Sequence, residues 1–203
     1  MKTVRKTLIL AACAIMLVCA TIAGTLAYLT AQESVENTFT VGNVGIKLDE
    51  TIVNPDGTPV VGEGAGRTED GNKYKLLPGK IYTKDPQITV NAGSEESWLF
   101  VKLENGIKNI ATTSTIESQM TANGNWTLID EVNNIYAYKE TVEAGDEIPV
   151  FNSFTIDSDV DATELGEYTN AKIVVTAYAI QADGFTTAQA AWDVAGAEAQ
   201  AQG

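Results

Sequence analysis

Apolar side chains between Phe39 and Leu48 recur at about every second position, the spacing of a strand with one buried face. Gly42 and Gly45 interrupt that run and point to a bulge or a close backbone approach. Residues 54–75 lose the alternation. They carry Asn54-Pro55-Asp56-Gly57, Gly62, Gly64, Gly66 and Gly71-Asn72, which is turn chemistry, and they read as a long exposed hairpin or mobile loop. Leu77-Pro78-Gly79 punctuates the return to strands. Ile88 to Val90 and Trp98 to Leu103 are β-rich runs joined by Asn91-Ala92-Gly93-Ser94-Glu95-Glu96.

From Ile107 to Met120 the apolar positions Ile107, Ile110, Ile116 and Met120 follow a helical spacing, which the Thr112-Thr113-Ser114-Thr115 run weakens. One short helix is expected there. Trp126 to Ile129 and Asn134 to Lys139 read as a hairpin, followed by a strand over Ile148 to Ile156. Ala171 to Ile180 is the clearest strand, with Ile173, Val175, Ala177 and Ala179 on one face. About eight strands and at most one or two short helices predict an all-β fold, a jelly-roll-like antiparallel β-sandwich. After Trp192 the tail from Ala195 to Gly203 lacks bulky residues and is expected to be frayed; the domain is placed at 28–185, with 186–203 as a low-complexity C-terminal tail.

The N-terminus has a different pattern. Lys2, Arg5 and Lys6 precede an uncharged, mostly apolar stretch from Leu8 to Ala23, and Thr25-Leu26-Ala27 places small residues before a cut at Ala27–Tyr28. This is the tripartite form of a cleavable secretory signal helix over 1–27. The competing reading is a retained anchor, since Leu8 to Leu29 is just long enough to cross a bilayer. A lipobox reading of Leu10-Ala11-Ala12-Cys13 fails, because the apolar run before the cysteine is too short.

Composition narrows the chemistry. The 203 residues hold 13 Lys and Arg against 27 Asp and Glu, and removal of the signal leaves a formal charge of −17. Such a surface repels phosphate backbones and anionic lipids, so no nucleic-acid partner is expected, and membrane contact is limited to the signal before cleavage. Both cysteines, Cys13 and Cys19, lie within the signal. The exported part therefore has no disulfide to rely on. No histidine is present, which removes the usual general base and the commonest zinc ligand. No catalytic residues are assigned, and the chain is not expected to be an enzyme. The sequence calls for no obligatory cofactor. Its best metal candidate is a calcium site at Asp157, Asp159 and Asp161, with Glu164 and Glu167 nearby, although the glycine and glutamate of a full calcium loop are replaced by Ala162 and Tyr168. Trp98, Trp126 and Trp192, with the tyrosines, fit core packing better than an exposed carbohydrate-binding face.

Ala23-Gly24-Thr25-Leu26-Ala27-Tyr28-Leu29-Thr30, followed by Asn37-Thr38-Phe39-Thr40-Val41-Gly42-Asn43-Val44, resembles the start of proteins exported through the signal peptidase SipW. These are the TasA and camelysin (CalY) biofilm matrix proteins of Gram-positive bacteria. Leu77-Pro78-Gly79, Lys84-Asp85-Pro86, Phe100-Val101-Lys102 and the stretch from Val175 to Ala182, with Gly184-Phe185 and Ala191-Trp192, are similar to clostridial members with this signal class. The resemblance implies secretion to the extracellular matrix or cell surface, a SipW-type peptidase as export partner, and assembly with itself or related matrix subunits into fibres. It implies further that the segment freed by the peptidase is a donor strand for the next subunit, with Phe39, Val41, Val44 and Ile46 as its apolar positions. An ordinary first strand paired within its own chain is the plain alternative for those four residues. Two other functions compete with a fibre subunit: a monomeric surface or adhesion module that binds carbohydrate or protein, and a camelysin-like protease. The standard zinc helix of a protease cannot be built without histidine.

Overall fold

The computed structural model describes residues 43–112, 116–122 and 124–201. Contacts divide the chain into two units, Met1–Thr40 and Val41–Gly203, and the described residues belong to the second. The expected signal helix and the cut at Ala27–Tyr28 lie outside the described residues.

Among the described residues, ten strands form three antiparallel groups. Strands β1 (Ile46–Thr51), β2 (Arg67–Thr68), β4 (Gln87–Val90) and β8 (Glu147–Pro149) make one sheet in the order β2-β1-β4-β8. A second sheet has the order β10-β5-β7-β6, from β5 (Ser97–Asn105), β6 (Trp126–Asp130), β7 (Ile135–Tyr138) and β10 (Ile173–Gln181). The pair β3 (Ile81–Thr83) and β9 (Ser153–Thr155) stands apart as a small third sheet. Ile88 and Val90 of the first sheet, Leu99, Val101 and Leu103 of the second, and Tyr82 and Phe154 of the third share one core. The all-β sandwich expected from the sequence is therefore the observed architecture.

Strand β5 departs from simple alternation because both of its faces are covered. Leu99, Val101 and Leu103 point into the main core, whereas Phe100 joins a second core with Ile135, Ala137, Tyr178 and Ile180. A strand buried on both faces reads as a continuous apolar run, which is what Trp98-Leu99-Phe100-Val101 supplies. The second core is closed by a helix at the C-terminus, Ala188–Ala201, which contributes Ala191 and Trp192. Phe100 and Trp192 rings lie 4.9 Å apart. The expectation of a frayed tail after Trp192 is therefore corrected, since the helix runs on to Ala201. Its alanines favour helix, and Trp192 anchors that helix on an apolar face of the sheet.

Helices number three α-helices and one 3₁₀ turn among the described residues: α1 (Ile116–Ala122), α2 (Ala162–Glu167), α3 (Ala188–Ala201) and the turn Lys108–Ile110. This exceeds the expected one or two by the C-terminal helix. The helical reading of 107–120 divides into the 3₁₀ turn and α1, and all four of its apolar positions, Ile107, Ile110, Ile116 and Met120, are buried. The expected strand over 148–156 also divides, with β8 in one sheet and β9 in another. Val150 and Phe151 are both buried. Adjacent residues of a strand face opposite ways, so the chain turns between the two sheets to bury both.

The segment 54–75 is exposed through Gly62–Gly66 and held at both ends. Arg67 of β2 pairs with Asp49 and Asp85, the Val53 amide donates to Asn72 Oδ1 at 2.9 Å, and the Tyr74 hydroxyl donates to the Thr83 carbonyl at 2.9 Å. Gly57 is needed for the turn at its start. Its φ is +80°, and a Cβ there would lie 2.6 Å from the Tyr82 ring.

Candidate functional site

Strand β10 is the longest strand together with β5, and it pairs with β5 along its whole length, from Ile173↔Asn105 to Gln181↔Ser97. Its other edge has no partner strand among the described residues. Such an edge presents a row of unpaired backbone donors and acceptors. On the first sheet, β2 covers only Glu50 and Thr51 of β1, so the outer edge of Ile46–Asp49 is likewise uncovered among the described residues. The two open edges border one side of the sandwich.

A groove of about 940 Å³ runs along the start of β10, between Ile173–Val174 and the strap 70–76. Tyr74, Leu76, Leu165 and Tyr168 line it, and they are half-buried side chains packed against the main core. A smaller depression of about 180 Å³ continues from it, bounded by Leu48–Glu50 on one side and Ile173–Val175 on the other. Among the described residues, half-buried core side chains therefore line this groove.

The charge along this groove is opposite to that of the chain as a whole. Lys73, Lys75 and Lys172 are exposed on its rim and form no salt bridge among the described residues. Beneath the rim, the ionic groups are buried and paired. Lys84 contacts Glu50, and Asp49 is held by Arg67 and Lys47. Burial works to raise the Asp49 pKa, but the hydrogen bonds and charges of Arg67 and Lys47 outweigh it, and the net shift is downward. Burial dominates at Tyr74 and pushes its phenol well above the ordinary tyrosine value, helped by the nearby Glu50 and Asp85 charges.

The residues expected to act from sequence fall in different places. Ile46 opens β1 and pairs with Val90 of its own chain, and Val44 is half-buried just before it. The backbone at Asn43–Gly45 is tied to the same domain, since Glu95 N donates to the Asn43 carbonyl and Asn91 N to the Gly45 carbonyl, both at 2.9 Å. For Ile46 the plain alternative of an intrachain first strand is what is observed. Phe39 and Val41 lie outside the described residues.

Two of the three aspartates, Asp157 and Asp161, accept local backbone hydrogen bonds. Asp161 caps α2 by accepting from Thr163 N at 2.8 Å and Glu164 N at 2.9 Å, and Asp157 accepts from Asp159 N at 3.0 Å. Among the described residues, no group of three or more carboxylates is gathered to hold a metal ion. Trp126 and Trp192 are buried, and Trp98 packs against the second core, in keeping with the core reading of the aromatics. Among the described residues, no helix is long and apolar enough to cross a membrane.

Sequence reasoning did not identify the lysines of the rim or the strap 70–76 as part of a site. The even alternation of β10 shows a strand, and nothing in it separates an edge strand from a central one. Fold and groove together define an antiparallel β-sandwich with an incomplete side. No family model, curated protein or solved structure matches the chain.

Proposed function

We propose that the chain is a secreted structural subunit of an extracellular matrix, and that copies join by strand donation. The donor is the segment between the signal cleavage site and Asn43, and the acceptor is the groove beside β10 of the next copy. The observation that carries this reading is a nine-residue strand with one edge unpaired among the described residues, lying beside half-buried core side chains. An extended peptide added there completes the hydrogen-bond ladder and covers those side chains in a single step.

Two features favour this occupant. The segment 28–42 alternates Val35, Phe39 and Val41 with polar residues and contains Glu33 and Glu36 but no Lys or Arg. An acidic strand suits a groove rimmed by Lys73, Lys75 and Lys172. The intrachain place of Ile46 moves the donor upstream, so Phe39 and Val41 are its proposed anchors and it ends before Asn43, with Val44 left to its own domain. The resemblance to TasA and camelysin proteins agrees with such a role, with a SipW-type peptidase exposing the strand.

The test compares a chain that begins at Tyr28 with one that begins at Asn43, by size-exclusion chromatography and electron microscopy. Fibres are expected from the first and monomers from the second. Monomers from both, or fibres from both, would overturn strand donation.

A further inference from the structure

Beneath the groove, three side chains from separate parts of the chain meet at one carboxylate. Glu50 of β1 is 5% exposed. Its Oε2 accepts from Lys84 Nζ at 2.5 Å, and its Oε1 accepts from Asn72 Nδ2 at 2.8 Å. Lys84 is itself 8% exposed and pairs with no other carboxylate among the described residues. The neighbouring acids are engaged elsewhere, Asp49 by Arg67 and Lys47, and Asp85 by Arg67 and Thr51. A primary amine and a carboxamide are therefore held on the two oxygens of one buried carboxylate. The Asn72 carbonyl oxygen accepts the Val53 amide at 2.9 Å, and Tyr74, stacked edge-on to Phe154 at 5.2 Å, walls the same space.

We infer that Lys84 and Asn72 form an intramolecular isopeptide bond, with Glu50 as the proton-transferring group. The nucleophilic nitrogen of Lys84 and the leaving nitrogen of Asn72 each lie within hydrogen-bond reach of the Glu50 carboxylate. Glu50 takes a proton from the Lys84 ammonium, and the freed amine attacks Cγ of Asn72. The carbonyl electrons move to Oδ1, where the Val53 N–H stabilises the charge. Glu50 then hands its proton to Nδ2 and accepts the second amine proton in exchange. The Cγ–Nδ2 bond breaks, the carbonyl re-forms, and ammonia leaves with the last proton as ammonium. One ammonium and one carboxamide become one amide and one ammonium, Glu50 returns to a carboxylate, and no oxidant or co-reactant is required. The product ties the segment after β2 to the approach to β4 in a chain whose only cysteines are Cys13 and Cys19.

Intact-mass spectrometry of the folded full chain tests the bond. The expected mass is below that of the sequence, after allowance for any signal cleavage, by one ammonia, about 17 Da. Fragmentation of a digest is expected to find the Asn72 peptide joined to the Lys84 peptide. Glu50→Gln, which keeps the size and removes the base, and Lys84→Arg are each expected to restore the full mass. A folded wild-type chain at full mass would refute the bond. A deficit that persists in Lys84→Arg assigns the loss to a cyclised asparagine and refutes it equally. Should the variants fail to fold, the wild-type chain decides. Kept in denaturant from synthesis it should hold its full mass and lose ammonia only on refolding, and retention of the full mass after refolding counts against the proposal.

Discussion

Asp49 and Arg67 show how an acidic sequence tolerates carboxylates inside its first strand. Asp49 is 7% exposed, and an unpaired buried charge is costly, so β2 exists largely as the two residues that bring Arg67 across β1. Because the folded pKa of Asp49 lies below its ordinary value near 3.8, the pair's contribution is fully present above that value. It is lost as pH falls through the lowered folded pKa. Thermal melts followed by circular dichroism should therefore show a stability plateau above about pH 4 and a decline below it. In Arg67→Met the decline should begin at higher pH, and the plateau should drop by on the order of 1–3 kcal/mol, because a buried acceptor loses its donor. An unchanged acid limb in that variant would show that Arg67 does not hold Asp49.

The C-terminal helix is the element whose role the sequence concealed. Its composition is small and polar apart from Trp192 and Val194, and Val194 is 71% exposed, so a single large side chain carries the docking. Trp192 packs on Phe100 at 4.9 Å and on Tyr178 at 5.8 Å. Gly196 lies under the same ring, where a Cβ would come within 2.7 Å. Trp192→Ala should destabilise the fold by about 3–5 kcal/mol, read as a lower midpoint in denaturant. It should also expose the outer face of β5 and β10 to a hydrophobic dye. A variant with the wild-type midpoint would mean that α3 is an appendage and not part of the core. Strand β5 was legible as a strand, but its second buried face becomes intelligible only when α3 is seen to cover it.

A strongly acidic sequence presents three exposed lysines, Lys73, Lys75 and Lys172, at the rim of the groove beside β10. If that rim guides an acidic strand from another copy, the triple variant Lys73→Glu, Lys75→Glu, Lys172→Glu should assemble at least tenfold more slowly. Its melting temperature should stay close to wild type, because substitutions at exposed surface positions usually change stability by less than about 0.5 kcal/mol. Light scattering with a parallel melt checks both statements. Equal assembly rates would remove electrostatic guidance from the proposed mechanism and leave the edge pairing to be tested by truncation.

Periodicity and turn chemistry determined most of the elements by themselves. The alternation of Ile173, Val175, Ala177 and Ala179, the hairpin after Trp126 and the burial of Ile107, Ile110, Ile116 and Met120 follow from local spacing, because one buried face is enough to impose it. What needs partners distant in sequence was decided only by tertiary structure. Whether β10 lies at an edge, whether Ile46 pairs within its chain, and whether Trp192 finds a surface to dock on depend on which strands meet. The meeting of Glu50, Asn72 and Lys84 is the same kind of fact: no motif announces it, because three residues so far apart in the chain become neighbours only when β1, the strap after β2 and the approach to β4 pack around one buried carboxylate.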